Sequence, residues 1–173
     1  GTIEKTCNNS LFKIGDNVTA HSTIYCNKCE ECDSGKYSIC KNRKVIGVSC
    51  EEFKQDGGMA DYIVLPEHIL YKMPQNVTFE EAAMAEPCAV ALHAVSKIKI
   101  PKNNNILVFG GGTIGLLIVH SLRMQGYNNI ISVEKIPERL DLALKMGANK
   151  SILWKKDELD NFFKNKLIKN IDC

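Results

Sequence analysis

Apolar and polar residues follow different patterns in the two halves of the chain. In the first half, short apolar runs near Val18, over 44–48 and over 59–65 are separated by polar turns rich in glycine, asparagine and aspartate. Such runs predict short strands joined by turns, and therefore a β-rich domain or barrel. The strand predicted over 59–65 (MADYIVL) is rich in β-forming residues and ends at Pro66.

The sequence pattern changes near residue 76, from predicted strands to predicted helices. Thr78 and Glu81 stand at the spacing of a capping box, in which each side chain bonds the backbone N–H of the other residue. A helix should therefore start after Thr78. The apolar stretch 88–98, which follows Glu86-Pro87, predicts a second helix.

Strands and helices alternate in the second half. The predicted strands are 106–109, 130–133 and 151–154, and the first two are each followed by apolar residues at helical spacing. This alternation predicts βαβ units and a parallel sheet, and hence an α/β domain. A third helix over 159–167 and the start of a fourth strand at 171–173 continue the pattern. A doubly wound sheet has about six strands, so we expect its first half only.

A glycine-rich motif lies between the first predicted strand and helix of this sheet. Residues 110–115 read GGGTIG and match G-x-G-x-x-G. Glycine at the first position permits a tight turn, at the second it lets the backbone approach a pyrophosphate, and at the third it lets the helix pack closely on the strand. The free N–H groups of the helix then face the phosphates. The predicted dinucleotide contacts are Gly110, Gly112, Thr113, Ile114 and Gly115.

Glu134 follows the next predicted strand, at the place where an acidic residue accepts hydrogen bonds from the ribose hydroxyls of NAD. A carboxylate there would repel the 2′-phosphate of NADP. Lys135 and Arg139 are close in sequence and also predicted to contact the cofactor, and their positive charges leave NADP open. The motif therefore favours NAD over NADP.

Four cysteines form a compact C-x2-C-x2-C-x7-C pattern at Cys26, Cys29, Cys32 and Cys40. Four thiolates close a tetrahedral zinc site and leave no position for water or substrate, so such a site is structural. An iron–sulfur cluster is the main alternative, but ferredoxin motifs place the fourth cysteine after three residues and before a proline. Unligated or disulfide-bonded cysteines are the remaining alternative.

Composition narrows the possible partners and the cellular setting. The chain has 173 residues, a net charge of +2 and eight cysteines. It has no apolar run long enough for a membrane span and no basic stripe with interleaved aromatics, which argues against membrane and nucleic-acid partners. Half of the cysteines lie in one loop and no secretion signal is visible, so we expect a reducing, cytoplasmic setting.

These motifs, in this order, resemble the zinc-containing medium-chain dehydrogenases. The cysteine loop, residues 15–18 (GDNV), residues 57–62 (GGMADY) and the glycine motif carry the resemblance, and residues 86–94 (EPCAVALHA) resemble the branch of sorbitol, threonine and galactitol-phosphate dehydrogenases. The resemblance implies a GroES-like catalytic domain over 1–87, N-terminally incomplete, with a structural zinc lobe at about 22–44. A Rossmann NAD-binding domain, C-terminally incomplete, would occupy 88–173.

The resemblance also implies site residues. Glu86 matches a glutamate that lies near the catalytic zinc as a ligand or as a partner of its water. Cys88 and His93 are expected to be packing or surface residues, and Cys7 is not expected to bind metal. The other catalytic zinc ligands would precede Gly1, so we expect a fragment that is inactive by itself.

The implied activity is zinc-dependent hydride transfer from a secondary alcohol of a polyol, sugar or sugar acid to NAD, with a homo-oligomeric whole protein. Two alternatives remain open at this point. One is a non-catalytic, zinc-stabilised dinucleotide-binding module, which would bind cofactor without turnover. The other is an electron-transfer protein with an iron–sulfur centre, which would be coloured.

Overall fold

A computed structural model describes residues 1–155. The helix predicted over 159–167 and the strand predicted at 171–173 lie outside the described residues. The chain divides into two compact units, Gly1–Met84 and a second that begins at Ala85. The domain boundary expected from the sequence, between residues 87 and 88, stays a prediction. No helix of the described part is long and apolar enough to cross a membrane.

The first unit contains two small antiparallel sheets. Strand β1 (Val18–Ala20) pairs with β4 (Leu70–Lys72), and β2 (Thr23–Ile24) pairs with β3 (Lys44–Val45). Pairing of β2 with β3 joins the two ends of the loop between these strands. That loop carries the cysteines.

Two short helices complete this unit. Helix α1 (Glu30–Asp33) lies inside the cysteine loop, and α2 (Phe79–Ala83) follows β4. The capping box predicted for α2 is confirmed: the Thr78 N–H donates to Glu81 Oε2 at 2.9 Å, and the Glu81 N–H donates to Thr78 Oγ1 at 3.2 Å. Two N–H groups that the helix cannot satisfy itself are thereby paired.

The strand predicted over 59–65 is wrong. This segment has no strand in the structure, and Tyr62 and Val64 are 76% and 94% exposed. High β-propensity describes how well side chains fit a pleated, half-buried surface, and it needs a neighbouring strand to act. Within the described residues, no strand pairs with this segment. The strand expected over 44–48 is likewise shorter, ending at Val45.

The second unit is built on a parallel three-stranded sheet, as the alternating pattern predicted. Its order is β5 (Asn105–Phe109), β6 (Asn129–Glu134) and β7 (Lys150–Leu153). Phe109 is in register with Val133, and Glu134 with Leu153, so the carboxyl ends of the three strands lie at one edge. This is the edge at which open α/β sheets bind their ligands.

Up to residue 155, this unit contains the helices α3 (Ala85–Ser96), α4 (Thr113–Met124) and α5 (Glu138–Lys145). Helix α3 starts three residues earlier than predicted, since Pro87 falls in the first turn, where a missing N–H breaks no helical bond.

The core of the second unit lies between the sheet and its helices. Its buried residues are Val95, Ile106, Val108, Val119, Leu122, Tyr127, Ile130, Ala143 and Ala148. Ile114 lies in the first turn of α4 beside the glycine loop and is 39% exposed.

Candidate dinucleotide site and metal centre

The glycine motif forms the turn between β5 and α4. Gly110 follows β5 with a φ of 96°, a backbone conformation that side chains rarely allow. Its N–H donates to the Val133 carbonyl oxygen at 2.8 Å, which attaches the start of the turn to β6. Gly112 is the N-cap residue of α4, and no side chain caps this helix. The first N–H groups of the twelve-residue helix are therefore available to an anion.

Gly115 allows the first turn of α4 to contact the turn itself. A Cβ atom at this position would lie 1.8 Å from the Gly110 carbonyl oxygen. The close packing expected of the third glycine is thus present. Thr113 and Ile114 lie between these glycines in the same helical turn and are exposed.

The Glu134 carboxylate is buried, with 5% of the residue exposed, beneath the glycine turn. Its Oε2 accepts a hydrogen bond from the Gly111 N–H at 2.6 Å, and Oε1 accepts from the N–H groups of Lys135 and Ile136 at 2.7 and 3.0 Å. Burial raises the pKa of Glu134, but these three hydrogen bonds and the charge of Arg139 outweigh it and lower the pKa.

The two predicted basic residues occupy different positions around Glu134. Lys135 contributes its backbone N–H, whereas Arg139 lies in the first turn of α5 with Nη1 3.7 Å from Glu134 Oε2. The same guanidinium is 4.0 Å from where a Cβ on Gly112 would be. The predicted cofactor residues of the second unit are therefore gathered at the carboxyl end of β5 and β6.

The four predicted metal ligands come together in the first unit. The Sγ atoms of Cys26, Cys29, Cys32 and Cys40 all lie within 4.8 Å of one another. Cys26 follows β2, Cys29 and Cys32 begin and occupy α1, and Cys40 ends a single 3-10 turn at Tyr37–Ile39. Cys32 and Cys40 are buried.

The sulfur positions fit a tetrahedral zinc ion. Zn–S bonds of about 2.3 Å place the sulfurs of a regular tetrahedron about 3.8 Å apart. The Cys29 sulfur is 3.5 Å from that of Cys32 and 3.8 Å from that of Cys40. The described cysteines form no disulfide. This donor set can therefore hold one zinc ion in a closed site.

Polar groups around the cluster shift the pKa values of two thiols in opposite directions. Hydrogen bonds from the Lys28 backbone N–H and the Asn42 side chain lower the pKa of Cys26 to about 6, whereas burial and the neighbouring Glu31 side chain help to raise the pKa of Cys29 to about 12. The Cys26 N–H also donates to the Cys40 sulfur at 3.4 Å. Because metal ligation requires deprotonated cysteine, these donors assist metal binding. Lys41 pairs with Glu31 at 3.0 Å and lowers the pKa of that carboxyl to about 2.

The residues of the 86–94 segment lie along α3. Glu86 is exposed in the first turn, Cys88 is half-buried and His93 is exposed in the last turn. Within the described residues, the four-cysteine group is the only cluster of potential metal ligands. The role of Glu86 stays a prediction.

Two contributors were missed by the sequence reasoning. Gly111 bonds Glu134 through its N–H, and Asn42 bonds the Cys26 sulfur through Nδ2 at 3.7 Å. A fourth glycine inside G-x-G-x-x-G, at a position where the motif does not demand glycine, was a visible signal. Asn42 lies two residues past the last cysteine and carried no such signal.

Comparison with known proteins finds alcohol and polyol dehydrogenases. Residues 1–75 match the family model of the alcohol dehydrogenase GroES-like domain. The probable D-xylulose reductase A of Arthroderma otae is 39% identical over 145 residues, covering 84% of this chain and 40% of that relative. The sorbitol dehydrogenase of Bombyx mori is 31% identical, covering 98% of this chain and 48% of that relative.

Solved structures similar to this chain are also dehydrogenases. An alcohol dehydrogenase from Escherichia coli CFT073, determined with NADH, superposes with a TM-score of 0.84 at 31% identity, over 97% of this chain and 49% of that one. Galactitol-1-phosphate dehydrogenase from Escherichia coli superposes with a TM-score of 0.80 at 28% identity, over 95% and 47%. The chain thus spans less than half the length of these relatives. As its motifs predicted, the chain carries the alcohol dehydrogenase GroES-like domain and is homologous to dehydrogenases of the zinc-containing medium-chain kind, among them D-xylulose reductase and sorbitol dehydrogenase.

Proposed function

We propose that this protein is an oxidoreductase that transfers hydride from a secondary alcohol of a polyol, sugar or sugar acid to NAD. The observation that carries the proposal is the glycine turn at the N-terminus of α4, with the Glu134 carboxylate buried beneath it. The turn offers N–H groups to a pyrophosphate, and the carboxylate lies at the end of β6, where a ribose would follow.

A preference for NAD follows from the charge at this point. The Glu134 carboxylate is ionised near neutral pH and would repel a 2′-phosphate, whereas Arg139 lies beside it and partly offsets that charge. Glu134 is fixed by three backbone hydrogen bonds, while the Arg139 side chain is 46% exposed and freer to move. The fixed Glu134 carboxylate should therefore determine the preference for NAD over NADP.

A catalytic zinc, a structural zinc and NAD would have different tasks here. When bound, NAD accepts the hydride and the catalytic zinc lowers the pKa of the alcohol. Of this chain's residues, the first turn of α4 binds the pyrophosphate and Glu86 is the candidate partner of the catalytic zinc. The four cysteines hold a structural zinc that stabilises the loop between β2 and β3 and leaves no position for substrate.

The substrate class is supported by the relatives. Two of them are named for D-xylulose and sorbitol, and a similar structure is a galactitol-1-phosphate dehydrogenase. All three names denote sugars, polyols or their phosphates. We also propose a reducing cytoplasmic location, which the free thiols support, and a homo-oligomeric assembly.

Steady-state oxidation of sorbitol, xylitol, galactitol and ethanol by the whole protein of which this chain is a part, followed by NADH absorbance with zinc present, tests this function. We expect the whole protein to turn over at least one polyol with NAD, to do so more slowly with NADP and not to oxidise ethanol, whereas the 173-residue chain alone should be inactive. Glu86→Gln in the whole protein should lower kcat without changing NADH binding. The proposal is contradicted if the whole protein oxidises no polyol, or if it uses NADP better than NAD.

A further inference from the structure

We propose that Glu134 is a positioning residue that holds the phosphate-binding turn in shape through the Gly111 N–H. This role rests on the proposed function, since it concerns how the same turn binds a dinucleotide. It goes beyond ribose recognition, because it acts on parts of the cofactor that Glu134 never touches.

The hydrogen-bond capacity of Glu134 is almost filled within the protein. Each carboxylate oxygen accepts about two hydrogen bonds. Oε1 accepts from the backbone of Lys135 and Ile136, and Oε2 accepts from Gly111 at 2.6 Å. One position on Oε2 remains, on an oxygen that also lies 3.7 Å from Arg139 Nη1. Glu134 can therefore accept at most one ribose hydroxyl, and most of its bonds are structural.

The backbone at Gly111 supports this assignment independently. Its φ is not positive, so the turn itself does not require glycine there. A Cβ at this position would instead lie 3.0 Å from Glu134 Oε2 and 3.2 Å from its Cγ. Gly111 is buried, and the missing side chain is what allows the carboxylate to reach the N–H. The glycine and the glutamate thus form a matched pair.

The pair acts on the residue that binds phosphate. The Gly111 N–H belongs to the Gly110–Gly111 peptide, so fixing it fixes the plane of that peptide, which lies one peptide before Gly112, the N-cap of α4. Hydrogen bonds to an ionised, buried carboxylate are short and strong. A turn that is already held in its binding conformation loses less entropy when the pyrophosphate arrives.

Binding of two ligands to matched variants tests the inference. The ligands are NAD and its analogue without the adenosine 2′- and 3′-hydroxyls, titrated by calorimetry. We expect Glu134→Gln and Gly111→Ala to weaken both ligands by an equal factor, roughly tenfold or more. The control Glu138→Gln, which removes an exposed charge from the same helical turn as Arg139, should bind both as the wild type does.

A ribose contact alone predicts a different pattern. In that case Glu134→Gln would weaken NAD but leave the analogue unchanged, and Gly111→Ala would bind both normally; either result overturns the inference. Amide hydrogen exchange gives a readout that needs no ligand: the Gly111 N–H should exchange at least about tenfold faster in Glu134→Gln. If the wild type binds neither ligand, the proposed function fails, while the exchange rate still decides whether Glu134 holds Gly111.

Discussion

A Cβ atom on Gly115 would lie 1.8 Å from the carbonyl oxygen of Gly110, across the turn that joins β5 to α4. Real non-bonded carbon and oxygen atoms stay more than about 3 Å apart, so no rotamer change can relieve this contact. The first turn of α4 therefore packs against the backbone of its own entry turn, and the position of the phosphate-binding N–H groups depends on it.

Gly115→Ala should destabilise the second unit by about 3 kcal/mol or more, because the backbone of α4 must move to admit the methyl group. Urea unfolding measures this loss, and NADH binding should weaken with it. Gly58→Ala is the matched control, since Gly58 has open space and no positive φ, and its effect should stay below about 1 kcal/mol. Wild-type stability of Gly115→Ala would contradict the packing described.

Removal of the Thr78 hydroxyl should destabilise the first unit. Thr78→Ala leaves the Glu81 N–H without its acceptor and breaks one half of the capping box. The expected loss is about 1 kcal/mol in the free energy of unfolding. Thr6→Ala, at an exposed threonine, should change stability by less than about 0.5 kcal/mol. Equal effects of the two substitutions would show that the cap does not contribute.

Removal of the buried Ser132 hydroxyl should not lower the free energy of unfolding. Its Oγ has no hydrogen-bond partner among the described residues, and the residue is fully buried in β6. Burying an unsatisfied hydroxyl costs about 1–3 kcal/mol, so Ser132→Ala should leave stability unchanged or raise it by about 1 kcal/mol. Thermal unfolding measures the change, with Ser151→Ala on the neighbouring strand as the comparison. A loss of more than about 1 kcal/mol would mean that Ser132 bonds a buried water.

The pH dependence of stability should report Glu134. Its pKa in the folded protein lies below the ordinary value of 4.5. A depressed pKa contributes stability that is present above the unfolded-state value and is lost as pH falls through the folded-state value. The difference in unfolding free energy between the wild type and Glu134→Gln should therefore be constant from neutral pH down to about 5 and shrink below that. A difference that grows on acidification would contradict the lowered pKa.

The sequence predicted the second unit well because its signals are local. The strand β6 and the helix α4 follow from apolar periodicity, and the turn at Gly110 follows from glycine spacing. The capping box of α2 is equally local, since its two residues are three positions apart. The clustering of the four cysteine sulfurs was predictable because cysteine spacing within one loop limits which sulfurs can meet.

The remaining features depend on contacts between distant residues. The segment 59–65 has strand composition, but a strand needs a neighbour, and composition does not say whether one is present. The hydrogen bond from Gly111 to Glu134 joins residues 23 positions apart. It depends on the distance between the glycine turn and the end of β6. Long-range geometry of this kind follows from the assembled fold rather than from either motif.

Metal content tests the central claim, that the four-cysteine loop is the structural zinc site of a dehydrogenase, most directly. The purified protein and its Cys40→Ser variant would be compared by mass spectrometry, with Cys50→Ser, an exposed cysteine outside the cluster, as the control. We predict that Cys40→Ser holds about one zinc ion per chain less than the wild type and that Cys50→Ser holds as much. Iron in the wild type, or equal zinc in the wild type and Cys40→Ser, would contradict the account.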